Sequence, residues 1–267
     1  MDTRQIDRSL WPLIIAHRGD STSAPENTLA AFQSALNLGA HGIELDVRLS
    51  SDGVPIVIHD ETLDRTTNGS GPVSSFTIKQ LKLIKASNQV RHSLVYERLP
   101  TLEEAIRSID TRAEIIIEMK GNDPMLANSV AETIAQCRAH QRCMVISFDH
   151  SMLKQFQKLD TSTLIGYLID TRDACLMDRQ CYIKSLENII LTLQPSFVLP
   201  HYSLLNDNLM DLAAQFAVTV GTWTVDKNSP ITRMINLGVS RLITNNIELA
   251  LSIRNKIKPP EKETRWT

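Results

Sequence analysis

The feature that most constrains the fold is a regular alternation of short apolar runs with longer amphipathic segments, which continues from residue 13 to residue 257. The short runs are rich in aliphatic and β-branched residues, as strands are, and the longer segments repeat apolar residues at the spacing of a helix face. Strands are predicted at Leu13–His17, Gly42–Val47, Ile56–His59, Glu114–Met119, Met144–Ser147, Leu164–Leu168, Phe197–Leu199, Val218–Trp223 and Arg241–Ile243. Helices are predicted at Thr28–Leu38, Leu102–Ile109, Pro124–Arg138, Ser151–Leu159, Asp178–Leu193, Asn206–Phe216, Pro230–Leu237 and Ile247–Ile257.

Strands that alternate with helices form a mostly parallel sheet, and the alternation here fits two folds. A chain of 267 residues with eight strand–helix units has the size of a (β/α)8 barrel, the TIM barrel. A doubly wound open sheet has the same alternation, and its first strand commonly leads into Gly-x-Gly-x-x-Gly. The first strand here leads into His17-Arg18-Gly19 instead, which favours one TIM-barrel domain over residues 1–267.

Residues 60–100 interrupt the alternation with a polar, turn-rich stretch that contains Asn68-Gly69-Ser70-Gly71-Pro72. This stretch is predicted to be a small insertion after the second strand region, where it could cover a site. Residues 258–267 are rich in proline and charge, and we expect this tail to be frayed.

The charge balance excludes several function classes. Twenty-eight Lys and Arg residues against 30 Asp and Glu residues give a formal net charge of −2, which provides no general attraction for nucleic acid or an anionic membrane. The start of the chain lacks a secretory signal pattern, and the apolar runs are too short for stable membrane insertion. We therefore expect a cytoplasmic protein that acts on a small molecule.

The cysteines lack zinc-knuckle spacing and are predicted to be reduced thiols: Cys137, Cys143, Cys175 and Cys181.

The strand Gly42–Val47 places two acidic side chains on one face. Because alternate strand residues point to opposite sides, Glu44 and Asp46 lie opposite the aliphatic residues between them. In a parallel barrel that face points inward, near the carboxyl ends of the strands where barrel sites form. At roughly 6 Å and an effective dielectric constant near 20, two carboxylates repel by about 3 kcal/mol. A proton, a cationic side chain or a metal ion has to offset this repulsion; the alternatives are an exposed strand edge and an internal salt bridge to arginine.

The strand Glu114–Met119 brings a third carboxylate, Glu118, to the same rim. Three carboxylates without cysteine or histidine pairs at ligand spacing suit a hard cation such as Mg²⁺ or Ca²⁺ rather than zinc. Lys120 follows on the same face and has two interpretations, a phosphate contact or a counter-ion to the acids.

Two histidines, His17 and His59, end predicted strands. A single histidine at a strand end is more often a packing residue, but two that converge with three acids can exchange protons near neutral pH. Arg18 adds a planar guanidinium group that matches phosphate oxygens. A divalent metal site, two imidazoles and two cations together predict metal-assisted cleavage of a phosphate ester.

Motifs in order along the chain resemble the glycerophosphodiester phosphodiesterase family. The resemblance covers about residues 12–250, and the ordered set is far more specific than any one motif. The motifs are His17-Arg18-Gly19, Pro25-Glu26-Asn27-Thr28, Glu44-Leu45-Asp46-Val47, His59-Asp60, Arg65-Thr66-Thr67-Asn68-Gly69, Glu118-Met119-Lys120, Ser147-Phe148 and Gly221-Thr222-Trp223-Thr224-Val225.

This resemblance implies a TIM barrel with an insertion after the second strand region and a metal-dependent enzyme. It implies that Glu44, Asp46 and Glu118 are the metal ligands, and that His17 and His59 are the acid and base. The expected reaction is hydrolysis of a glycerophosphodiester, such as glycerophosphocholine or glycerophosphoethanolamine, to sn-glycerol 3-phosphate and an alcohol. Attack by the neighbouring glycerol hydroxyl, through a cyclic phosphate, and direct attack by water both remain open.

The resemblance also implies roles for Arg18 and Lys120, which would hold the phosphate. Trp223 would lie near the glycerol or alcohol group; the alternative is a core tryptophan. Asn27 is expected to cap the helix that follows it. The family often ends its last strand with Thr-Asp, whereas this chain has Asn245 after Thr244, which keeps the hydrogen-bonding reach but loses the charge.

Two other functions stay open. A lysophospholipase D acting on lysophospholipids would need an apolar trough at the barrel mouth, and the insertion offers only scattered apolar residues: Phe76, Leu81, Leu83, Ile84 and Tyr96. A catalytically silent barrel that only binds phosphodiesters is disfavoured, because binding alone needs no pair of proton-transferring histidines.

Overall fold

The structure is a computed structural model that describes residues 11–87, 96–172 and 179–257. Its strands are β1 Leu13–His17, β2 Gly42–Leu49, β3 Pro55–Val57, β4 Lys85–Ser87, β5 Tyr96–Arg98, β6 Glu114–Met119, β7 Cys143–Ser147, β8 Leu164–Ile169, β9 Phe197–Pro200, β10 Thr219–Thr222 and β11 Arg241–Thr244. Its α-helices are α1 Leu29–Asn37, α2 Ile78–Leu81, α3 Leu102–Ser108, α4 Pro124–Cys137, α5 His150–Leu159, α6 Arg179–Leu193, α7 Asp207–Gln215, α8 Asn228–Leu237 and α9 Ile247–Lys256.

Eight of these strands form a closed parallel barrel. Their order is β1, β2, β6, β7, β8, β9, β10 and β11, and β11 pairs with β1 to close the ring. Helices connect successive barrel strands on the outside, apart from the insertion between β2 and β6. The predicted TIM barrel is therefore confirmed, and the open-sheet alternative is wrong because the barrel sheet has no free edge in this ring.

One predicted strand does not belong to the barrel. The segment predicted as Ile56–His59 forms β3, Pro55–Val57, which pairs antiparallel with the end of β2. The physical reason is the short link between them: a parallel neighbour requires a crossover of about a dozen residues, whereas a tight turn returns the chain antiparallel. Gly53 adopts a positive φ of 81° in this turn, a conformation that favours glycine. His59 consequently reaches the site from the insertion side.

The predicted insertion is confirmed as a small, separately packed unit. It contains a 3₁₀ turn, Val73–Ser75, the short helix α2 and the β4–β5 hairpin. Its own apolar cluster consists of Ile56, Ile58, Leu63, Val73, Leu81, Ala86 and Leu99. Because these side chains pack on one another, the insertion presents its polar residues toward the barrel mouth and solvent.

The alternation in β2 and β6 separates the outer core from the site. Ile43, Leu45 and Val47 are fully buried between β2 and the helices, together with Ile115 and Ile117 of β6. The opposite face looks into the barrel, where a second cluster fills the lower interior: Ile15, Ile116, Met144, Ile146, Leu168, Phe197, Leu199 and Ile243. These apolar layers form a floor below the acidic residues.

At the amino-terminal end of the barrel, Arg241 closes the floor. Its Nε donates to Glu114 Oε2 at 2.7 Å, and its guanidinium group lies 4.2 Å from the centre of the Phe197 ring. This end is therefore occupied by a salt bridge and a cation–π contact, and the predicted site residues lie at the other end.

In the part of the chain that is described, each helix is too short or too polar to cross a lipid bilayer. Cys137 and Cys143 are free thiols, and burial raises the pKa of Cys143 to about 12. Cys175, the side chain of Cys181, the predicted helix start at Asp178 and the tail 258–267 lie outside the described residues.

Candidate active site

A cavity of about 450 Å³ opens at the carboxyl ends of the barrel strands. Seven of the predicted site residues line it, and the eighth, Asp46, is fully buried beside them. The seven are His17, Arg18, Glu44, His59, Glu118, Lys120 and Trp223. The cavity thus brings together residues that are far apart in the sequence.

The carboxylates of Glu44, Asp46 and Glu118 form one cluster, with one oxygen of each within 4.8 Å of the others. The register of the sheet explains this: β2 and β6 pair in parallel, so Asp46 lies directly opposite Glu118. All three side chains are buried, with exposures of 2%, 0% and 7%. The alternative of an exposed strand edge is therefore wrong.

Two cations share this cluster. The Nζ of Lys120 lies 3.1 Å from Asp46 Oδ1 and 2.5 Å from Glu118 Oε1, and the Nε of Arg18 lies 3.1 Å from Asp46 Oδ2. Burial alone would raise the pKa of Asp46, but Lys120 and Arg18 hold it below its ordinary value. Asp46 is thus the ionised centre of the cluster.

The pKa values of the other two acids shift in the opposite direction. Burial, and then repulsion from Asp46 and Glu118, raise the pKa of Glu44 well above its ordinary value. Burial raises the pKa of Glu118 to about 7, against the attraction of Lys120. Ionisation of all three carboxylates would give the cluster one negative charge more than its two cations neutralise, and the raised pKa values of Glu44 and Glu118 are consistent with this excess.

This arrangement fits a divalent metal ion. The three acids supply only oxygen ligands, and the Nζ of Lys120 is the described partner of the buried oxygens Asp46 Oδ1 and Glu118 Oε1. Hard oxygen ligands around an uncompensated charge are what Mg²⁺ and Ca²⁺ prefer, so these three residues could hold such an ion.

His17 ends β1 and is held at its Nδ1. That atom lies 2.8 Å from Oδ1 of Asn245, which follows β11, and the Nε2 atom lies 3.9 Å from Glu44 Oε2. Burial, with a further contribution from the positive charge of Arg18, lowers the pKa of His17 to about 4. The ring is consequently neutral at neutral pH, with Nε2 on the side of the carboxylates.

His59 follows β3 and is held by two neighbours. Its Nδ1 lies 2.6 Å from Asp60 Oδ1, and its carbonyl oxygen accepts a hydrogen bond from Arg48 Nε at 2.8 Å. Burial lowers the pKa of His59; Lys120 and Arg18 lower it further, while Asp46 acts in the opposite direction. The two imidazoles thus approach the cavity from separate elements.

The predicted helix cap is corrected. Asn27 does not cap α1; Thr28 does, with an extended backbone and a side chain that accepts from the Ala31 N–H. Asn27 instead has a left-handed backbone, with φ of 60°, which turns its amide toward Asp46. Its Nδ2 donates to Asp46 Oδ2 at 2.8 Å, so it orients a candidate metal ligand.

Three residues for which the sequence suggested no role join the insertion to the barrel. Arg65 donates to both carboxylate oxygens of Asp60 and to both of Glu26, and Glu26 also accepts from Arg18 at 2.9 Å. Glu26 and Arg65 are 39 positions apart, so no local periodicity connects them. Their only sequence signal is their presence within the family-like motifs. The result is a continuous set of charged and polar contacts from Arg18 through Glu26, Arg65 and Asp60 to His59.

Trp223 forms part of the cavity wall and is fixed at its ring nitrogen. Its Nε1 donates to the Leu199 carbonyl at 2.7 Å, and its ring meets Phe148 edge-on at 5.4 Å between centroids. The ring of His201 contacts it in the same way at 5.3 Å. Trp223 is therefore half-buried by packing and still lines the cavity, which combines both interpretations of this residue.

Comparisons with known proteins agree with this geometry. Residues 17–249 match the model of the Glycerophosphoryl diester phosphodiesterase family. A glycerophosphodiester phosphodiesterase of Caldanaerobacter subterraneus subsp. tengcongensis is 35% identical over 248 residues, which cover 91% of this chain and 98% of that protein. Another from Bacillus altitudinis is 33% identical, with coverages of 92% and 99%.

Solved structures give the same result. An Oleispira antarctica phosphodiesterase in complex with the product sn-glycerol-3-phosphate has a TM-score of 0.78 and 26% identity, and the match covers 92% of this chain and 97% of that one. A structure from Silicibacter pomeroyi DSS-3 has a TM-score of 0.82 at 22% identity, with coverages of 91% and 93%, and supports the fold alone. Because the family model spans most of the chain and the relatives match along nearly their full length, the chain belongs to the glycerophosphoryl diester phosphodiesterase family.

Proposed function

We propose that this protein hydrolyses glycerophosphodiesters to sn-glycerol 3-phosphate and an alcohol with the help of one divalent ion, Mg²⁺ or Ca²⁺. The observation that carries the proposal is the buried cluster of Glu44, Asp46 and Glu118, which lies in one cavity with two imidazoles and two cations. The names of the curated relatives and the product bound to the Oleispira antarctica enzyme support the same substrate class.

The formal charge of the cluster suits an anionic phosphodiester substrate. The three carboxylates, Arg18 and Lys120 leave a formal charge of −1, which a divalent ion converts to +1. A diester carries one negative charge and makes the complex neutral, whereas a monoester carries up to two.

The contacts of the other cavity residues indicate what each would do in the reaction. Arg18 and Lys120 line the cavity beside the carboxylates and would bind the phosphate oxygens, with the planar guanidinium group of Arg18 setting their orientation. His17 and His59 would move protons: one removes a proton from the attacking group, which is the glycerol hydroxyl or water, and the other donates a proton to the leaving alkoxide. The bound ion would stabilise negative charge on the phosphoryl oxygens.

The packing of the insertion disfavours the lysophospholipase D alternative. Leu81 is fully buried in the insertion's own core, and Phe76 and Ile84 pack against that core. Of the apolar residues Phe76, Leu81, Leu83 and Ile84, Leu83 is the one with a largely exposed side chain, at 79%. The side chain of Tyr96 lies outside the described residues. Within the described part of the insertion, a single exposed leucine does not form a trough for an acyl chain, which favours a small polar diester as the substrate.

A direct assay tests this proposal. Incubation of glycerophosphocholine with Mg²⁺ or Ca²⁺ should release sn-glycerol 3-phosphate, measured by a coupled dehydrogenase assay, and EDTA should abolish the release because the ion is part of the site. Lysophosphatidylcholine in the same assay should be hydrolysed at least about 10-fold more slowly. Turnover that survives EDTA would contradict the metal assignment, and a preference for lysophosphatidylcholine would contradict the substrate class.

A second prediction concerns the junction formed by Arg65. Arg65→Lys keeps the charge but loses the planar fork that binds Asp60 and Glu26 together. We expect kcat to fall about 10–100-fold because His59, held by Asp60, loses its fixed position. The KM for glycerophosphocholine should rise by less than kcat falls, since Arg65 reaches Arg18 only through Glu26, which keeps its own hydrogen bond to Arg18.

The matched control for this variant is Arg107→Lys. Arg107 pairs with Glu103 one helical turn away on an exposed face of α3, where such pairs contribute little. The control should have the kcat of the parent protein. An Arg65→Lys protein with unchanged kcat would show that His59 does not depend on this junction.

A further inference from the structure

Asp226 lies behind Asn245, the residue that contacts His17, and is not part of the cavity lining. It follows β10 in the chain, and its carboxylate accepts three hydrogen bonds from the end of β11. Oδ1 accepts from the Thr244 hydroxyl at 3.1 Å and from the Asn245 N–H at 2.8 Å, and Oδ2 accepts from the Asn245 Nδ2 at 2.9 Å. All three hydrogen bonds of the Asp226 carboxylate thus come from Thr244 and Asn245, and Asn245 is the residue whose amide contacts His17.

These contacts determine which way the Asn245 amide points. A carboxylate can only accept hydrogen bonds, so the amide nitrogen of Asn245 has to face Asp226. The amide oxygen therefore faces the Nδ1 of His17, at 2.8 Å. Thr244 keeps the arrangement in place, because its hydroxyl donates to Asp226 while it accepts from the Asn246 N–H at 2.9 Å.

The orientation of the amide in turn determines the tautomer of His17. An amide oxygen only accepts, so the Nδ1 of His17 has to carry the hydrogen, and in the neutral ring the Nε2 atom is left with a free lone pair. This Nε2 is the atom that faces Glu44 Oε2 across the cavity, at 3.9 Å. The proton of the ring is therefore held away from the reacting side.

We propose that Asp226 is a positioning residue that, through Asn245, fixes the tautomer of His17 with Nε2 unprotonated. The proposal rests on the proposed function only in taking His17 as a proton-transferring residue; the tautomer itself is a property of the folded protein. It also accounts for the absence of charge at position 245, since the negative charge is present one residue further from the ring, at Asp226.

Exchanging the two side chains tests this link. In Asp226→Asn, the new amide oxygen would still accept from Thr244 and the Asn245 N–H, so its NH₂ group would face the NH₂ of Asn245. Asn245 then has to flip and present NH₂ to His17, and the ring hydrogen moves to Nε2. In Asn245→Asp, two carboxylates meet where a hydrogen bond of 2.9 Å now exists. The double variant Asp226→Asn/Asn245→Asp restores all four hydrogen bonds.

The expected result is a reciprocal rescue. Each single variant should lose about 10²-fold in kcat for glycerophosphocholine in the Mg²⁺-loaded enzyme, with a KM within a few-fold of the parent value. The double variant should recover to within about tenfold of the parent kcat, because the carboxylate at position 245 accepts from Nδ1 and the amide at position 226 donates to it. A double variant no better than the worse single variant would overturn the proposal.

A spectroscopic measurement separates this proposal from the catalytic one. Long-range ¹H–¹⁵N spectra of the imidazole nitrogens, assigned with His17→Gln, should show the Nδ1–H tautomer in the parent protein and the Nε2–H tautomer in Asp226→Asn. This readout needs no turnover, so it decides the proposal even if the substrate class is wrong. Retention of the Nδ1–H tautomer and of parent kcat in Asp226→Asn would overturn the role of Asp226.

Two further variants complete the test. Asp160→Asn is the matched control, because Asp160 is another buried carboxylate that contacts a histidine Nδ1, that of His140 at 2.9 Å, outside the cavity. It should leave kcat and the His17 tautomer unchanged. If Asp226→Asn does not fold, Asn245→Ala removes the amide while Asp226 stays, and it should convert His17 to a mixture of tautomers; an unchanged pure Nδ1–H signal would overturn the proposal.

Discussion

Replacing Glu44 with glutamine should reduce kcat/KM for glycerophosphocholine by about 10³-fold or more and leave the metal-free protein at least as stable as the parent. Activity falls because one of the three carboxylates that could hold the divalent ion is lost. Stability does not fall because Glu44 is the carboxylate without a cation of its own, whereas Asp46 and Glu118 are paired with Lys120. Steady-state kinetics measure kcat/KM, urea unfolding in EDTA measures the stability, and isothermal titration measures the Mg²⁺ affinity, which should also fall.

Asp46→Asn provides the contrast that makes this prediction specific. It also removes a carboxylate of the cluster, but Asp46 is the partner of Arg18, Lys120 and Asn27. The change would remove the ionised carboxylate that both partly buried cations and the Asn27 amide contact, so the metal-free protein should be clearly less stable than the parent. Both variants lose Mg²⁺ affinity, and only Asp46→Asn loses stability.

Glu103→Gln is the control, since Glu103 forms an exposed pair on α3 that contributes little to stability. It should match the parent protein in all three measurements. An active Glu44→Gln protein that still binds Mg²⁺ with parent affinity would contradict the assignment of Glu44 as a ligand. A Glu44→Gln protein that is much less stable without metal would contradict the charge balance described for the cluster.

The central cluster could be predicted from the sequence because strand alternation is a local property. Glu44 and Asp46 are two residues apart on β2, and Glu118 has the same relation to the aliphatic residues of β6. Once β2 and β6 are neighbours in a parallel barrel, the register alone brings Asp46 opposite Glu118. The local sequence pattern and the predicted fold were together sufficient to predict that the three carboxylates lie close together.

The surroundings of the cluster depend on contacts that have no periodicity. Asparagine is a common residue type at helix N-caps, but the left-handed backbone of Asn27 directs its amide to Asp46. Thr28 is the N-cap residue instead. Arg65 meets Glu26 across 39 positions, from an insertion whose path the strand–helix alternation does not describe. The position of His59 was also set by this insertion, since β3 turned out antiparallel. Tertiary contacts determine where these side chains lie, and sequence patterns could only indicate them as candidate site residues.

Replacing either histidine with alanine should have the largest effect on catalysis. His17→Ala and His59→Ala should each lower kcat by about 10³–10⁴-fold, because each removes a proton transfer and the positioning that accompanies it. The two side chains are held by different residues, Asn245 and Asp60, so neither can replace the other. If the two histidines act in one concerted transfer, the double variant should lose little more than the worse single variant.

The leaving group distinguishes the two roles. A glycerophosphodiester of p-nitrophenol needs little protonation on departure, so the variant that lacks the general acid should recover much of its kcat with this substrate, and the variant that lacks the general base should not. His140→Ala, in which a half-buried histidine outside the cavity is removed, should behave as the parent protein with both substrates. Equal recovery of both variants would mean that the histidines do not divide the acid and base roles. Near-parent kcat in either variant with glycerophosphocholine would remove that histidine from the mechanism, because a ring that only packs against the cavity wall would leave proton transfer intact.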